Sequence, residues 1–217
     1  MHYIQHRYFL VPATIITIWL LQGCNGCNHT KTAPPLRDSV TTTTETTIST
    51  PQDTLKNWAE QRLIQWKGWI DSSMAGSFGT DSLERTTVDT LGSIDTTSME
   101  VARFEQFRQF FVYSPDSSRV IDMVSYGNFL HQGTHGKVVL ESGEPDTEVA
   151  IVNVQTKKRE RILFTGPSTI IKQAVWVDDH TILIAGGTYN ENNQLQPTIW
   201  KYDTNTRLLE NWESDRL

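Results

Sequence analysis

Tyr113-Ser114-Pro115-Asp116-Ser117-Ser118-Arg119-Val120-Ile121-Asp122 is the stretch on which the reading of the fold depends. Proline and aspartate stand where a type I turn uses them: proline presets φ, and a short carboxylate accepts from the backbone N–H groups just beyond it. Before the turn, residues 107–113 are aromatic and β-branched and predict a strand. After it, residues 119–126 alternate Val120, Asp122 and Val124 with Ile121, Met123 and Ser125, and predict a second. Further strands are expected at 148–154 and 160–165, joined by a turn at 155–159. The order then repeats, with strands at 173–177, 181–186, 198–202 and 207–213 and turns at Asp178-Asp179-His180 and at 203–206. Asp116 aligns with Asp178 and Val120 with Ile182 at an offset of 62. Val154 aligns with Tyr202 and Thr156 with Thr204 at 48, so the first unit carries a middle loop 14 residues longer. Two antiparallel four-stranded meanders follow, over about 107–165 and 171–213.

Upstream, Thr50-Pro51-Gln52-Asp53 reads as a helix start, with Thr50 as N-cap, Pro51 in the first turn and Asp53 reaching back as in a capping box. Leu55, Trp58, Ala59, Leu63, Trp66 and Ile70 recur at three-, four- and seven-residue steps and form one apolar stripe, widened by Trp69, that ends near 71–73. Three tryptophans on a short helix also suit a glycan or a membrane surface. A stripe this apolar nevertheless needs cover, and the following sheet supplies it. Residues 72–98 are rich in Ser, Thr, Gly and Asp, with a strand predicted near 85–91. The expected class is α+β, mostly β: two antiparallel four-stranded meanders packed with one N-terminal amphipathic helix.

Each meander resembles one blade of a β-propeller of the WD-repeat or Tol type, and the Tyr-Ser-Pro-Asp-Ser-Ser-Arg turn is its most blade-like piece. The resemblance covers about residues 107–213. Propellers close with at least four blades and this chain supplies two, so the blade-like units are expected to pack on each other or on the tryptophan helix to bury their faces.

The N-terminus points to export. Residues 1–7 are polar, and residues 9–21 are apolar apart from Pro12 and two threonines. A bilayer core needs about 20 apolar residues of helix, so this run is too short to span and matches the core of a signal peptide. It ends in Leu21-Gln22-Gly23-Cys24, which resembles the lipobox of bacterial lipoproteins: aliphatic at −3, small at −1, then cysteine. Gln22 departs from the usual small or aliphatic residue at −2. The resemblance implies cleavage after residue 23 and acylation of Cys24. One acyl chain binds membranes marginally, whereas several, at about 0.8 kcal/mol per buried methylene, give a stable anchor. Cys27 then has no partner cysteine, and the fold rests on its core.

Residues 24–50, with Pro34, Pro35 and the run Thr41-Thr42-Thr43-Thr44-Glu45-Thr46-Thr47, read as a disordered tether, since they carry too little apolar surface to offset ordering entropy. The domains expected are therefore a signal peptide (1–23), the lipidated tether (24–50) and a helix plus β-rich domain (51–217). Across the tether and the next segment, Asp followed by Ser or Thr and then an aliphatic residue or Thr recurs at Asp38, Asp53, Asp81, Asp89 and Asp95. This resembles the acceptor pattern of general periplasmic O-glycosylation and implies Ser39, Ser82, Thr90 and Thr96 as candidate acceptors. Thr54 is set aside because it falls inside the expected helix.

Chemistry-bearing residues are sparse. The net charge of −6 and the lack of a basic cluster disfavour nucleic acid and anionic lipid. His131 and His135 stand four apart, as in helical zinc sites, but Gly133 and Gly136 oppose a helix and favour a hairpin loop. Asp178-Asp179-His180 serves turn geometry, as its parallel at Asp116 does. No catalytic residue, cofactor or metal is expected. The leading reading is a non-enzymatic binding or accessory module of the cell envelope, lipid-anchored to the outer membrane and facing the periplasm, with a protein or glycan partner. Its long loops at 126–138 and 188–196 would present Tyr126, Phe129 and Tyr189. The alternative is a metal-dependent or degenerate envelope hydrolase using His131 and His135.

Overall fold

The expected capping box is present in the computed structural model, which describes residues 50–74, 78–133 and 137–214. Asp53 N–H donates to Thr50 Oγ1 at 3.2 Å while Thr50 N–H donates to Asp53 Oδ2 at 3.1 Å. The stripe is carried by two helices rather than one, α1 (Pro51–Arg62) and α2 (Ile64–Ser73), broken at Leu63 (φ −102°, ψ 43°). Gln173 holds the break: its Nε2 donates to Arg62 O at 2.9 Å and its Oε1 accepts from Trp66 N–H at 3.0 Å. Both groups lose their helical partners at the break, and an unpaired backbone group inside a protein costs about 1–3 kcal/mol.

After a 3-10 turn (Thr80–Ser82) come two exposed strands, β1 (Glu84–Thr90) and β2 (Thr96–Ser98), a third helix, α3 (Val101–Phe107), and a second 3-10 turn (Arg108–Phe110). The strand expected over 107–113 is thus mostly helical, and only β3 (Val112–Tyr113) pairs. Phe104, Phe107 and Phe111 recur at helical steps and share one buried cluster, which places the rings where a strand would have split them between faces. The chain continues through β4 (Arg119–Asp122), β5 (Asn128–Gln132), β6 (Val138–Ser142), β7 (Thr147–Asn153), β8 (Lys158–Thr165), β9 (Thr169–Trp176), β10 (Thr181–Tyr189), β11 (Leu195–Asp203) and β12 (Leu208–Glu213).

The protein is mostly β, with antiparallel sheets and helices, as the composition of the body implies. One five-stranded sheet runs β1-β12-β11-β10-β9 and the other β2-β8-β7-β4-β3, with β5 and β6 forming a separate hairpin. The two sheets repeat each other, with a correction to the alignment. Arg119 faces Asn153 and Val120 faces Val152, as Thr181 faces Asp203 and Ile182 faces Tyr202. The later halves therefore correspond at an offset of 50, not 48. Asn153 Oδ1 accepts from Thr156 N–H at 2.8 Å and Asp203 Oδ1 from Thr206 N–H at 2.8 Å, and Lys157 and Arg207 follow at φ 59°. Matching Thr156 to Thr204 missed that an asparagine and an aspartate play one role. Each sheet also gains an outer strand: Leu91 N–H donates to Arg207 O, and Met99 N–H to Lys157 O.

Alternation along the strands sorts the core into three layers. Ile182 and Ile184 of β10 pack between the sheets with Ile121, Val149, Ile151 and Trp176. Leu183 and Ala185 face the other way, onto Leu55, Leu63, Trp66 and Ile70 of α1 and α2. Val120 and Val152 of the second sheet face Phe104, Phe107 and Phe111. The order is helices, sheet, sheet, helix. Arg119 ties the sheets by lying 5.0 Å from the ring centre of Trp176 and donating to Thr204 Oγ1 at 3.1 Å, while Trp176 Nε1 donates to Val112 O at 3.2 Å.

The long loops are shorter than expected. Strands β10 and β11 run on to Tyr189 and from Leu195, leaving a turn held by Asn190, whose Oδ1 accepts from Asn192 and Gln194 N–H. Within the described part of the 126–138 segment, residues 128–132 form β5, which pairs with β6 from Val138 onward, with His131 opposite Val139.

Candidate functional site

The face of the second sheet that turns towards α3 is apolar at one end and charged at the other. Asp122 stands two residues from buried Val120, and Arg159 pairs directly with Val152, so both lie on the α3 side. Asp122, Glu148 and Ser125 are buried there. Arg159 Nε donates to Asp122 Oδ2 at 3.1 Å, and its Nη1 donates to Glu148 Oε1. The remaining lone pairs of Asp122 are used by the N–H groups of Val124 and Ser125, at 3.1 and 2.8 Å, and by the Ser125 hydroxyl. Arg161 stands 3.7 Å from Glu148 and 2.8 Å from exposed Asp95. Arg159 Nη2 is buried and has no partner among the described residues.

Above this floor lies a cleft of about 360 Å³ lined by Thr97, Ser98, Met99, Glu100, Arg103, Ser125, Tyr126, Gly127 and Arg159. Strand β2 forms one wall, since Thr97 pairs with Arg159. Helix α3 forms the second. Its Arg103 lies 5.0 Å from the Phe107 ring centre and donates to the carbonyls of Ser125 and Asn128, tying the helix to the β4–β5 connection that forms the third wall. Gly127 turns this connection at φ +62°, a conformation open to glycine without strain. Tyr126 packs edge-on against Phe164, with centroids 5.8 Å apart and ring planes at 85°. Guanidiniums and carboxylates are close to balanced here, so the cleft carries donors and acceptors without a strong net charge.

Of the three residues expected to meet a partner, Tyr126 is in this cleft. Phe129 is on β5, 64% exposed, over Gly143. Tyr189 lines a separate hollow with Ser73, Met74, Asn193, Gln194 and Leu195. The structure does not gather the three into one pocket. Arg103, Asp122, Glu148 and Arg159 were missed by sequence reasoning, although Asp122 within the Val120–Val124 alternation was a legible sign of a charge turned inward.

A larger hollow, about 640 Å³, is lined by the exposed side chains Glu105, Gln106, Arg108 and Gln109 with Phe111 and Tyr113, and it lacks a buried ion pair among the described residues. His131 lies in a strand, with Nδ1 3.4 Å from Glu141 Oε2, and His135 falls outside the described residues. Among the described residues no group of three or more His, Cys, Asp or Glu is disposed to hold a metal ion, and no helix is long and apolar enough to cross a membrane. Thr90 and Thr96 are exposed on β1 and β2. Ser82 is half-buried, 2.7 Å from Ser214 Oγ, and Cys24 and Ser39 lie outside the described residues. No family model, curated protein or solved structure matches the chain.

Proposed function

We propose that this chain is a bacterial lipoprotein of the cell envelope, cleaved before Cys24 and acylated there. On this reading the Thr-rich segment 24–50 separates the anchor from the domain, and the anchor lies in the outer membrane with the domain in the periplasm. The β-rich body is a non-enzymatic binding module, and the cleft at Tyr126 is its contact surface. Phe129 and Tyr189 flank the body as secondary contacts. The observation that carries the reading is the cleft itself: a three-walled hollow lined by Tyr126, Arg103, Glu100 and Thr97 over the ion-paired Arg159. Preorganised polar groups under an aromatic wall are what ligand sites provide. The two meanders are read as blade-like units whose outer faces are closed by helices instead of further blades. Thr90 and Thr96, being exposed, are the better glycan acceptors, with Ser39 and Ser82 as the others.

Two measurements test this. Mass spectrometry of the mature N-terminus is expected to find a diacylglyceryl group on Cys24 and no residues before it; an unmodified Cys24 refutes the anchor. A Thr97→Cys variant in a Cys27→Ser background, carrying a photocrosslinker on the face of β2 that Arg159 shares, is expected to capture an envelope component in living cells. The same label at exposed Thr86, away from the cleft, is expected to capture nothing comparable, and equal capture by both removes the cleft from the reading.

A further inference from the structure

Four of the described sheet edges are guarded against further pairing. Strand β1 carries Arg85 and Asp89 and leaves Thr86 out of its ladder, and β9 leaves Lys172 out of its own. Strands β2 and β3 are only three and two residues long. Bulges, charges and short length are the devices that keep an edge from recruiting another strand. Strand β6 is different. Val138-Val139-Leu140-Glu141-Ser142 pairs with β5 without a register shift, and all five side chains are exposed. Gly143 N–H donates to Gly127 O at 2.8 Å and Gly133 N–H to Lys137 O at 2.7 Å, so the odd-numbered residues of β6 bond to β5. The N–H and C=O groups of Val138, Leu140 and Ser142 therefore point to the open side. Strand β5 stands between β6 and the body, since Arg103 of α3 donates to Asn128 O on the far edge of β5 at 3.4 Å.

Apolar side chains alone would also suit a lipid surface, but there the open backbone groups would be left without partners. Another strand satisfies both. We infer that β6 pairs with β6 of a second copy of this chain, antiparallel about Leu140, to make one four-stranded sheet; the inference rests on neither the anchor nor the cleft. This register sets Leu140 against its own copy, Val138 against the second copy's Ser142, and Val139 against its Glu141. Every outward N–H and C=O of the strand then meets one from the second copy, and no like charges stand directly opposite. Leu130 lies opposite Leu140 across the hairpin, so one face of the joined sheet carries a row of four leucines. Sliding either way by two residues pairs only three of the five, and one of those registers sets Glu141 against its copy. The strand is thus complementary to itself in a single register. Five residue pairs fall below the roughly 1,200 Å² of standard interfaces, so the dimer is weak and grows with concentration.

The test uses the full mature chain in detergent micelles, with sedimentation equilibrium and disulfide trapping. A dimer fraction that rises with protein concentration is expected. Leu140→Lys places two ammonium groups on the twofold axis and Leu140→Glu two carboxylates. Each is expected to weaken the dimer about tenfold or more with the melting temperature unchanged, and mixing the two variants is expected to restore it. For the register, Val138→Cys and Ser142→Cys are made in a Cys27→Ser background. Mixed and oxidised, the two chains are expected to join, because opposed Cα atoms stand about 5.5 Å apart. Neither is expected to join to itself, since like positions are then about 14 Å apart. The Cys27→Ser parent reports any bond through Cys24 and is expected to form none. A chain that is monomeric at every concentration overturns the inference, as does a dimer that Leu140→Lys and Leu140→Glu leave intact. Val138→Cys chains that join to themselves as readily as to Ser142→Cys chains overturn it too. Oxidation in living cells that links Leu140→Cys to a different protein and never to its own copy removes the second copy as the occupant of this edge.

Discussion

Aspartate 203 and asparagine 153 do the same work at equivalent turns, and only one of them can titrate. Asp203 is held below the usual carboxylate range first by the Thr206 N–H, against the effect of burial, with further bonds from the Thr206 hydroxyl and Asn205 N–H. At Asp178 burial pushes the carboxyl up, but the N–H groups of His180 and Thr181 outweigh it and the net shift is downward. The hydroxyls of Ser114 and Ser118, with Ser118 N–H, hold Asp116 far below its ordinary value. A carboxyl lowered in the folded state stabilises fully above its unfolded pKa, about 3.9, and loses that contribution as pH falls through the folded value. The melting temperature is therefore expected to be nearly flat above pH 5 and to drop on acidification below about 4. Asp203→Asn, copying position 153, should keep the turn and make that drop shallower in a series of calorimetric scans. An unchanged slope would show that this turn does not contribute. These carboxylates were legible in the sequence because their partners lie within three residues. The Arg159 cluster was not, because Asp122 is 37 residues away and meets Arg159 only through strand pairing.

The apolar stripe of the N-terminal helix was equally plain, yet the break inside it was not. Nothing local marks Leu63: the apolar period runs through it, and the residue that makes the break tolerable lies 107 positions from Trp66. Gln173→Ala leaves Arg62 O and Trp66 N–H without their cap and is expected to cost about 1–2 kcal/mol, or roughly 3–7 °C for a domain of this size. Gln173→Glu retains the acceptor for Trp66 N–H but loses the donor to Arg62 O, and should fall at least as far. Thermal unfolding of the two variants decides it, and a wild-type melting temperature in Gln173→Ala would mean that water replaces the cap. Helix α3 teaches the reverse. Its period was present at Phe104, Phe107 and Phe111, but aromatic and β-branched content over 107–113 argued for strand, and local content outweighed spacing. Strand β1 needed neither argument, since its hydroxyl-rich run stands at an edge where every side chain is exposed.

Across the whole molecule, stability should follow the layers. Strands β7 and β10 are buried on both sides, whereas the β5–β6 hairpin pairs only with itself and leaves Phe129, Val138, Val139 and Leu140 exposed. Two-stranded hairpins are marginal alone. Native-state hydrogen exchange is therefore expected to open β5 and β6 well before β7 and β10, whose amides should exchange only with global unfolding. Equal protection would mean that the hairpin is anchored as firmly as the sheets. The repeat itself was legible down to the first turn and its following strand. The two packings expected for the meanders, on each other and on the tryptophan helix, both occur, but which face would take which cover was not legible, because either face of each meander is apolar enough to be the inner one. That choice is made by the helices: α1 and α2 occupy one outer face, α3 the other, and only the inner faces remain to meet. A duplication adding a third meander at either end would thus have to evict a helix and supply a new cover. One slipped between the existing pair would find greasy surfaces on both sides ready to receive it, so the architecture is terminated outward and extensible only from within.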